Sequence, residues 1–433
     1  MPVNVYASYA LTPTATEDGI LGIKVVADSP VGRSIHIALV LDKSGSMDGT
    51  RIASVKNTLN VLVDKLQVGD KITVIGFSST ADMIASSVTI SDDSVRSQIK
   101  ASVDKLVADG GTNMESGITL LGQLFSNGAA LPDTIVLLTD GYVNEGITTV
   151  AGVHSLIKSY VPNLPVYALG YGDDHNSDFM RALSKRTNGT YTFIDNEIAL
   201  PASIGELLGS LQNEVAKGGF LTFPESWTCL ELGSTGTSHG LGSLIADKPT
   251  WTMLRVPASS MVGNVVLSFR NVGSAEDSLL PVVIDGTLDR LDVMEQHLRC
   301  VAASTLDKAA DFIKTYQIDA AKQTVLDAIK LITTSEAATK PMAIRFKAQL
   351  DEMIEEINTI MTRPRNNRAF ANLLQRTTGT ATRYTQQRGV SSQGGDADDG
   401  MFSTPTLMRA QAAMVTGYSQ SGGGSEDPRD QMT

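Results

Sequence analysis

Short apolar runs alternate with amphipathic stretches of helical length between residue 34 and about residue 216. The apolar runs are rich in β-branched residues and have no proline in their interior, which is typical of buried parallel strands. They predict strands at 35–41, 71–77, 134–138, 165–169 and 190–194. Apolar residues at three and four spacing predict helices at 51–66, 94–107, 116–125, 149–160 and 177–187. This alternation predicts a doubly wound α/β domain with a mostly parallel, Rossmann-like sheet over residues 34–217.

The segments on either side of this region have turn residues and alternating apolar and polar positions, with little helical periodicity. Residues 1–33 are too short to form a core alone. We therefore expect them to pair with residues 218–291 in one antiparallel β-sandwich, into which the α/β domain is inserted. Residues 292–362 carry apolar stripes at helical spacing, broken near Pro341, and predict two or three helices that form a helical hairpin.

Residues 363–433 are polar, and they are expected to form a partly flexible tail that is basic at first and then rich in glycine. Six arginines and no acidic residue lie between Arg363 and Arg388. We interpret this segment as a solvated linker, and binding of phosphate or of an acidic partner is the alternative. Residues 402–414 have the pattern of an amphipathic helix, which could dock on this chain or on a neighbour.

The chain has 433 residues, of which 42% are hydrophobic, and a net charge of −12. Because single cores stop growing at about 250 to 300 residues, this length predicts two or three domains. The negative charge disfavours nucleic acid and anionic membranes as partners. Neither a secretory signal pattern nor an uncharged run of roughly 18 residues is found, so a cytoplasmic protein without a membrane span is expected. Cys229 and Cys300 are the only cysteines, and their separation gives no disulfide framework and no metal-binding spacing.

Oxygen-bearing side chains follow two of the predicted strands and occupy one loop between them. Asp42, Ser44 and Ser46 come directly after the first strand, and Asp140 follows the strand at 134–138. Thr112 lies in the glycine-containing loop between these two positions. The carboxyl ends of parallel strands are where open α/β sheets bind ligands, so we expect these side chains to meet. Hard oxygen ligands of this kind suit Mg²⁺ or Mn²⁺ and do not suit zinc.

This set of residues resembles the metal-ion-dependent adhesion site of the von Willebrand factor type A (VWA) family. That site (hereafter the adhesion site) consists of Asp-x-Ser-x-Ser, a threonine and a second aspartate, which correspond here to Asp42, Ser44, Ser46, Thr112 and Asp140. The resemblance implies that the three hydroxyls contact the metal and that the two carboxylates hold it through bound waters. It also implies that an Asp or Glu of a partner protein completes the coordination.

The resemblance extends to residues 170–176, 187–194 and 200–215. These segments are similar to the subgroup found in inter-alpha-trypsin inhibitor heavy chains, plant VWA ubiquitin ligases and many bacterial proteins. Two isolated cysteines cannot supply the zinc ligands of a RING finger, so ligase activity is not expected.

These observations predict a magnesium-dependent adaptor or scaffold that binds a protein partner, and not an enzyme. Metal-assisted hydrolysis would need a general base, and the nearby carboxylates are already assigned to the metal. His36 and His175 are interpreted as structural residues. Two alternatives remain: a self-assembling structural component, in which Glu426, Asp427 or Asp430 of one copy enters the site of the next, and a partner subunit of a separate AAA+ ATPase.

Overall fold

The computed structural model describes residues 3–28, 33–140, 142–161, 164–172, 175–187, 189–194, 198–258, 264–274, 276–362, 367–386 and 405–420. Its strands are β1 (Val3–Leu11), β2 (Gly19–Ala27), β3 (His36–Asp42), β4 (Lys71–Phe77), β5 (Ala81–Thr89), β6 (Thr134–Thr139), β7 (Val166–Tyr171), β8 (Tyr191–Ile194), β9 (Glu214–Thr222), β10 (Thr228–Cys229), β11 (Ser234–Thr235), β12 (Ser238–Ile245), β13 (Thr250–Val256), β14 (Val265–Asn271) and β15 (Asp277–Val282). Its helices are α1 (Thr50–Lys65), α2 (Asp93–Val103), α3 (Met114–Ser126), α4 (Val150–Tyr160), α5 (Ser177–Arg186), α6 (Ala199–Gln212), α7 (Arg290–Lys314), α8 (Ile318–Thr334), α9 (Pro341–Thr362), α10 (Asn367–Gln386) and α11 (Pro405–Gln420). The described chain divides into two compact units.

The first unit contains a six-stranded sheet in the order β5-β4-β3-β6-β7-β8. Every residue of β3 is buried, because helices cover both faces of the sheet. Ile37 and Leu39 face a core formed with α1, α2 and α6, whereas Ala38 and Val40 face a core formed with α3, α4 and α5. The predicted doubly wound α/β domain is therefore confirmed, and its five predicted strands lie within two residues of the observed bounds.

The strand β5 was not predicted, and it makes the sheet mixed, since it pairs antiparallel with β4. Its sequence, ADMIASSVT, is more polar than that of the other strands, and only Ala85 is fully buried within it. An edge strand pairs on one side only and buries little surface, so its pattern lacks the continuous apolar run that identifies the central strands.

The helix α11 belongs to the same unit as the α/β domain, where it packs against α6 and α1. Met414 and Tyr418 are buried, and the Tyr418 hydroxyl donates to Ser54 Oγ at 3.2 Å. Gly205 permits this contact, because a Cβ at that position would lie 2.8 Å from the Gln411 Cα. The prediction of a tail after residue 363 is thus wrong for α10 and α11, whose helices depend on tertiary burial. The amphipathic helix indicated by residues 402–414 is present in α11, and of the two docking partners considered it uses this chain.

The second unit contains two antiparallel sheets, with the strand orders β1-β2-β13-β10-β11 and β12-β9-β14-β15. Residues from before and after the α/β domain share one sheet, since Leu21 of β2 pairs with Leu254 of β13. Apolar side chains of both sheets, among them Ile23, Leu221 and Leu267, form one core. The two sheets therefore pack face to face as a sandwich.

The helices α7 to α10 form a further apolar core in the second unit. Three helices occupy 292–362, in agreement with the predicted two or three, but the prediction of a simple hairpin is incomplete, because α10 packs on α7 as a fourth helix. Phe346 of α9 and Tyr384 of α10 have ring centroids 4.9 Å apart. Arg376, one of the six arginines of the basic segment, pairs with Glu356 at 2.9 Å.

Several predictions concern residues outside the described part of the chain, namely the loops at 391–400 and 421–425 and the acidic side chains Glu426, Asp427 and Asp430. Within the described residues, every helix is too short or too polar to cross a lipid bilayer.

The packing of α11 predicts different effects for two methionines of that helix. Met414 is fully buried and Met408 is 44% exposed. Met414→Ala should lower the free energy of unfolding by about 2–5 kcal/mol, because it leaves a cavity, whereas Met408→Ala should change it by less than about 0.5 kcal/mol. Urea denaturation measures both values, and equal effects of the two substitutions would show that α11 does not dock on α1 and α6.

Candidate metal centre

The first loop of the site begins at Asp42, the last residue of β3, whose carboxylate is fully buried. Asp42 Oδ1 accepts a hydrogen bond from the Ser44 backbone N–H at 2.8 Å, and its Oδ2 accepts one from the Thr139 hydroxyl. The carboxylate therefore ties the end of β3 to the end of β6. Because both oxygens accept hydrogen bonds, the side chain has a defined orientation at this edge of the sheet.

The two serine hydroxyls lie next to each other and next to the second aspartate. Ser44 Oγ is 3.1 Å from Ser46 Oγ, and Ser46 Oγ donates to Asp140 Oδ1 at 2.8 Å. Asp140, directly after β6, is fully buried, whereas Ser46 is exposed to solvent. Four of the five predicted ligands thus form one connected group that opens to solvent at Ser46.

Thr112 lies on a loop that is held to the Asp-x-Ser-x-Ser loop by backbone hydrogen bonds. The Gly45 N–H donates to Gly110 O at 3.1 Å, and the Asp109 N–H donates to Lys43 O at 2.8 Å. Gly110 has a φ of +65°, a backbone conformation that favours glycine. The Thr112 N–H donates to Asn144 Oδ1 at 2.9 Å, and the residue is 4% exposed. The structure therefore brings the three predicted loops together.

Lys43 is the x residue directly after Asp42 in Asp-x-Ser-x-Ser, and its side chain contacts the neighbouring loops. Its ammonium pairs with Asp109 at 2.7 Å and donates to Ser78 Oγ at 3.2 Å. A cleft of about 390 Å³ lies beside Lys43, with Asp82, Leu106 and Val107 among the residues that line it. Asp109 is thereby engaged by a cation, and it is not part of the ligand group.

Two buried carboxylates lie close together in this group, and a positive charge beside them would offset the cost of their burial and of their mutual repulsion. Burial raises the pKa of Asp42, hydrogen bonds from Ser44 and Thr139 oppose that rise, and the nearby Asp140 adds to it, so the pKa stays above its ordinary value. Arg51 supplies one positive charge through an ion pair with Asp140 Oδ2. A divalent cation beside Asp42 and Asp140 would compensate the negative charge that Arg51 leaves.

The sequence interpretation missed the roles of Arg51 and Asn144. Arg51 lies in the first turn of α1, the helix that leaves the Asp-x-Ser-x-Ser loop, and this position is the signal that could have identified it. Asn144 lies in the loop after β6, and its contact with Thr112 depends on tertiary structure. His175 Nδ1 lies 2.6 Å from Gly172 O and Nε2 lies 2.7 Å from the Tyr191 hydroxyl, and His36 Nε2 lies 2.9 Å from Thr73 Oγ1.

The donor set fits a hard divalent cation. Oxygens that occupy adjacent positions around an octahedral Mg²⁺ ion lie about 2.9 Å apart, since the bonds are about 2.0–2.1 Å long. The Ser44 and Ser46 hydroxyls, at 3.1 Å, already have nearly this spacing. The group consists of hydroxyl and carboxylate oxygens alone, which is the chemistry that Mg²⁺ and Mn²⁺ prefer.

Comparison with known proteins places the chain among relatives of this architecture. Residues 36–206 match the family model of the von Willebrand factor type A domain. The uncharacterized protein sll0103 of Synechocystis sp. is 30% identical over 303 residues, which cover 62% of this chain and 69% of that protein. Human inter-alpha-trypsin inhibitor heavy chain H6 is 26% identical over 166 residues, which cover 36% of this chain and only 13% of that protein.

A solved structure, the von Willebrand factor type A protein from Catenulispora acidiphila, matches with a TM-score of 0.62 at 16% identity. The match covers 83% of this chain and 89% of that chain, so the likeness in fold extends beyond residues 36–206. VWA domains are typically protein-interaction modules. The chain belongs to the von Willebrand factor type A family, as its sheet, the three loops that meet at its edge and these matches together indicate.

Proposed function

We propose that the protein is a magnesium-dependent adaptor or scaffold that binds an acidic residue of a partner protein. Ser44, Ser46 and Thr112 would contact the ion directly, and Asp42 and Asp140 would hold it through bound waters. Mn²⁺ would suit the same ligands. The observation that carries the proposal is that three loops meet at one edge of the sheet, where the Ser46 hydroxyl lies 3.1 Å from the Ser44 hydroxyl and 2.8 Å from the buried Asp140 carboxylate.

Binding of an acidic partner follows from the charges of the ligands. Neutral hydroxyls in direct contact leave much of the charge of the ion uncompensated, and an Asp or Glu carboxylate would offset it. The exposed position of Ser46 leaves room on the solvent side.

The proposal assigns the protein to binding and not to catalysis, because the titratable groups of the site are engaged as metal holders or in ion pairs. A cytoplasmic location is part of the proposal. It is supported by Cys229 and Cys300, which are buried free thiols, as is usual in a reducing compartment.

Two aspartates near the site predict a clear contrast in metal binding. Asp42 is buried within the ligand group, whereas Asp48 is exposed just beyond it. Asp42→Ala should abolish Mg²⁺ binding by isothermal titration calorimetry, and Asp48→Ala, which removes the same charge, should leave it within about threefold, because exposed charges interact weakly. A wild-type protein that gives no binding heat with Mg²⁺ or Mn²⁺ would refute the metal site.

The same pair of variants tests partner binding. Tagged full-length protein is used to capture proteins from native lysate, first with Mg²⁺ and then with EDTA. Partners should be recovered by the wild type and by Asp48→Ala in Mg²⁺, and they should be lost with EDTA and with Asp42→Ala. Equal recovery under all conditions would contradict an adhesion role, even if the metal binds.

The positive charge of Arg51 is expected to weaken Mg²⁺ binding in the wild type, because the guanidinium pairs with Asp140, which would hold the ion. Arg51→Gln is expected to tighten Mg²⁺ binding about tenfold, since removing a positive charge a few ångströms away is worth about 1–2 kcal/mol at a partly exposed site. Lys56→Gln is the control, because Lys56 lies on the same helix but bonds to Asp104 O. Weaker binding in Arg51→Gln would mean that the arginine positions Asp140 for the metal.

A further inference from the structure

A second group of metal-binding side chains lies in the unit that contains the sandwich. Cys229 is in β10, Glu231 follows two residues later, and His239 is in β12. The donor atoms of these three residues all lie within 4.8 Å of one another. Cys300 of α7 approaches the same point, with its Sγ 3.5 Å from Glu231 Oε1. Two strands close together in sequence and one helix distant from them in sequence thus bring a carboxylate, an imidazole and two thiols together.

The spacing and the chemistry of the group suit zinc. Thiolate, imidazole and carboxylate are the usual zinc ligands, with bonds of about 2.0–2.3 Å, so neighbouring ligands of a tetrahedral ion lie about 3.3–3.8 Å apart. Donor atoms within 4.8 Å therefore need to close by no more than about 1.5 Å, which side-chain rotation can provide. Sulfur and nitrogen ligands distinguish this group from the all-oxygen adhesion site.

The hydrogen bonds of Glu231 leave one of its oxygens on the side of the thiol. Oε1 accepts from Arg299 Nη2 at 2.6 Å, and Oε2 lies 3.5 Å from Cys229 Sγ. The Met253 N–H lies 3.1 Å from both oxygens, so Oε2 also has a backbone donor. Arg299 is held in place independently, since its other nitrogens donate to Gln296 Oε1 and Tyr384 O. A metal ion on Oε2 would therefore not require the Arg299 ion pair to break.

The imidazole of His239 has a ring nitrogen that is available to bind a metal ion. Its Nδ1 is buried and has no hydrogen-bond partner within the described part of the chain. A buried nitrogen that lacks a partner is costly, and a metal ion would relieve that cost.

We propose that Cys229, Glu231 and His239 bind a zinc ion that joins the two sheets of the sandwich, with Cys300 as the nearest donor for a fourth position. Cys229 and Glu231 come from the five-stranded sheet and the loop after it, and His239 comes from the four-stranded sheet. The ion would replace the Cys229 proton, so that one thiolate and one carboxylate offset its two charges. Loss of a proton from Cys300 would then balance Arg299.

The test uses Co²⁺ as a probe on full-length protein that has been reduced, freed of metal with a chelator, and saturated with Mg²⁺. Cobalt bound to a thiolate gives a charge-transfer band in the near ultraviolet, and cobalt at the all-oxygen adhesion site does not. The wild type and Asp42→Ala should both show this band with one equivalent of Co²⁺, and Zn²⁺ should displace it. Cys229→Ser should lose at least half of the band, because Cys300 is then the one thiolate left to bind cobalt, and His239→Gln should bind Co²⁺ at least tenfold more weakly.

Absence of the band in the wild type, or an unchanged band in Cys229→Ser, would overturn the proposal. Circular dichroism checks that each variant is folded. Should Cys229→Ser not fold, His239→Gln decides, because His239 is only partly buried: a Co²⁺ affinity equal to that of the wild type would refute the site. The adhesion site is unaffected by either result, since Mg²⁺ binding there is measured separately.

Discussion

The parallel pairing of β3 with β4 and β6 is the constraint on which the candidate metal centre depends. It brings Asp42, at the end of β3, beside Asp140, directly after β6, and the hydrogen bond from Thr139 to Asp42 joins the two strand ends. The third loop is then held by backbone bonds such as Gly45 N–H to Gly110 O. Because rigid, fully buried strands carry the loops, the hydroxyls of the site are preorganised.

Two carboxylates in different parts of the protein are stabilised in the same way. Asp140 places one oxygen on Arg51 and the other on the Ser46 hydroxyl, and Glu231 places one oxygen on Arg299 and the other near the Cys229 thiol. In each case an arginine compensates the buried charge and the second oxygen meets neutral donors. The neutral group is the Ser46 hydroxyl in one case and the Cys229 thiol in the other. Oxygen ligands suit Mg²⁺ and sulfur ligands suit zinc, so the two candidate sites would prefer different metals.

Much of the α/β domain and the whole predicted ligand set could be recognised from the sequence. Buried parallel strands are covered on both faces, so they appear as continuous apolar runs such as that of β3. Four of the five candidate ligands stand at the ends of such runs, with Asp42, Ser44 and Ser46 at the end of β3 and Asp140 directly after β6, and their oxygen atoms are of the kind that suits a hard cation. The strand β5 was missed, because an edge strand with alternating exposure carries a weaker pattern.

By itself the sequence determined the order of the five parallel strands and of α1 to α5 in the α/β domain, its family and the five oxygen-bearing residues of the candidate site. Only the tertiary structure decided that α11 packs on α1 and α6, that Arg51 pairs with Asp140, and that Cys229 and Cys300 approach one carboxylate. The physical reason is the separation along the chain of the residues that make each contact. Periodicity reports which face of a local element is buried, whereas these contacts join residues far apart in the chain and depend on how complete elements pack.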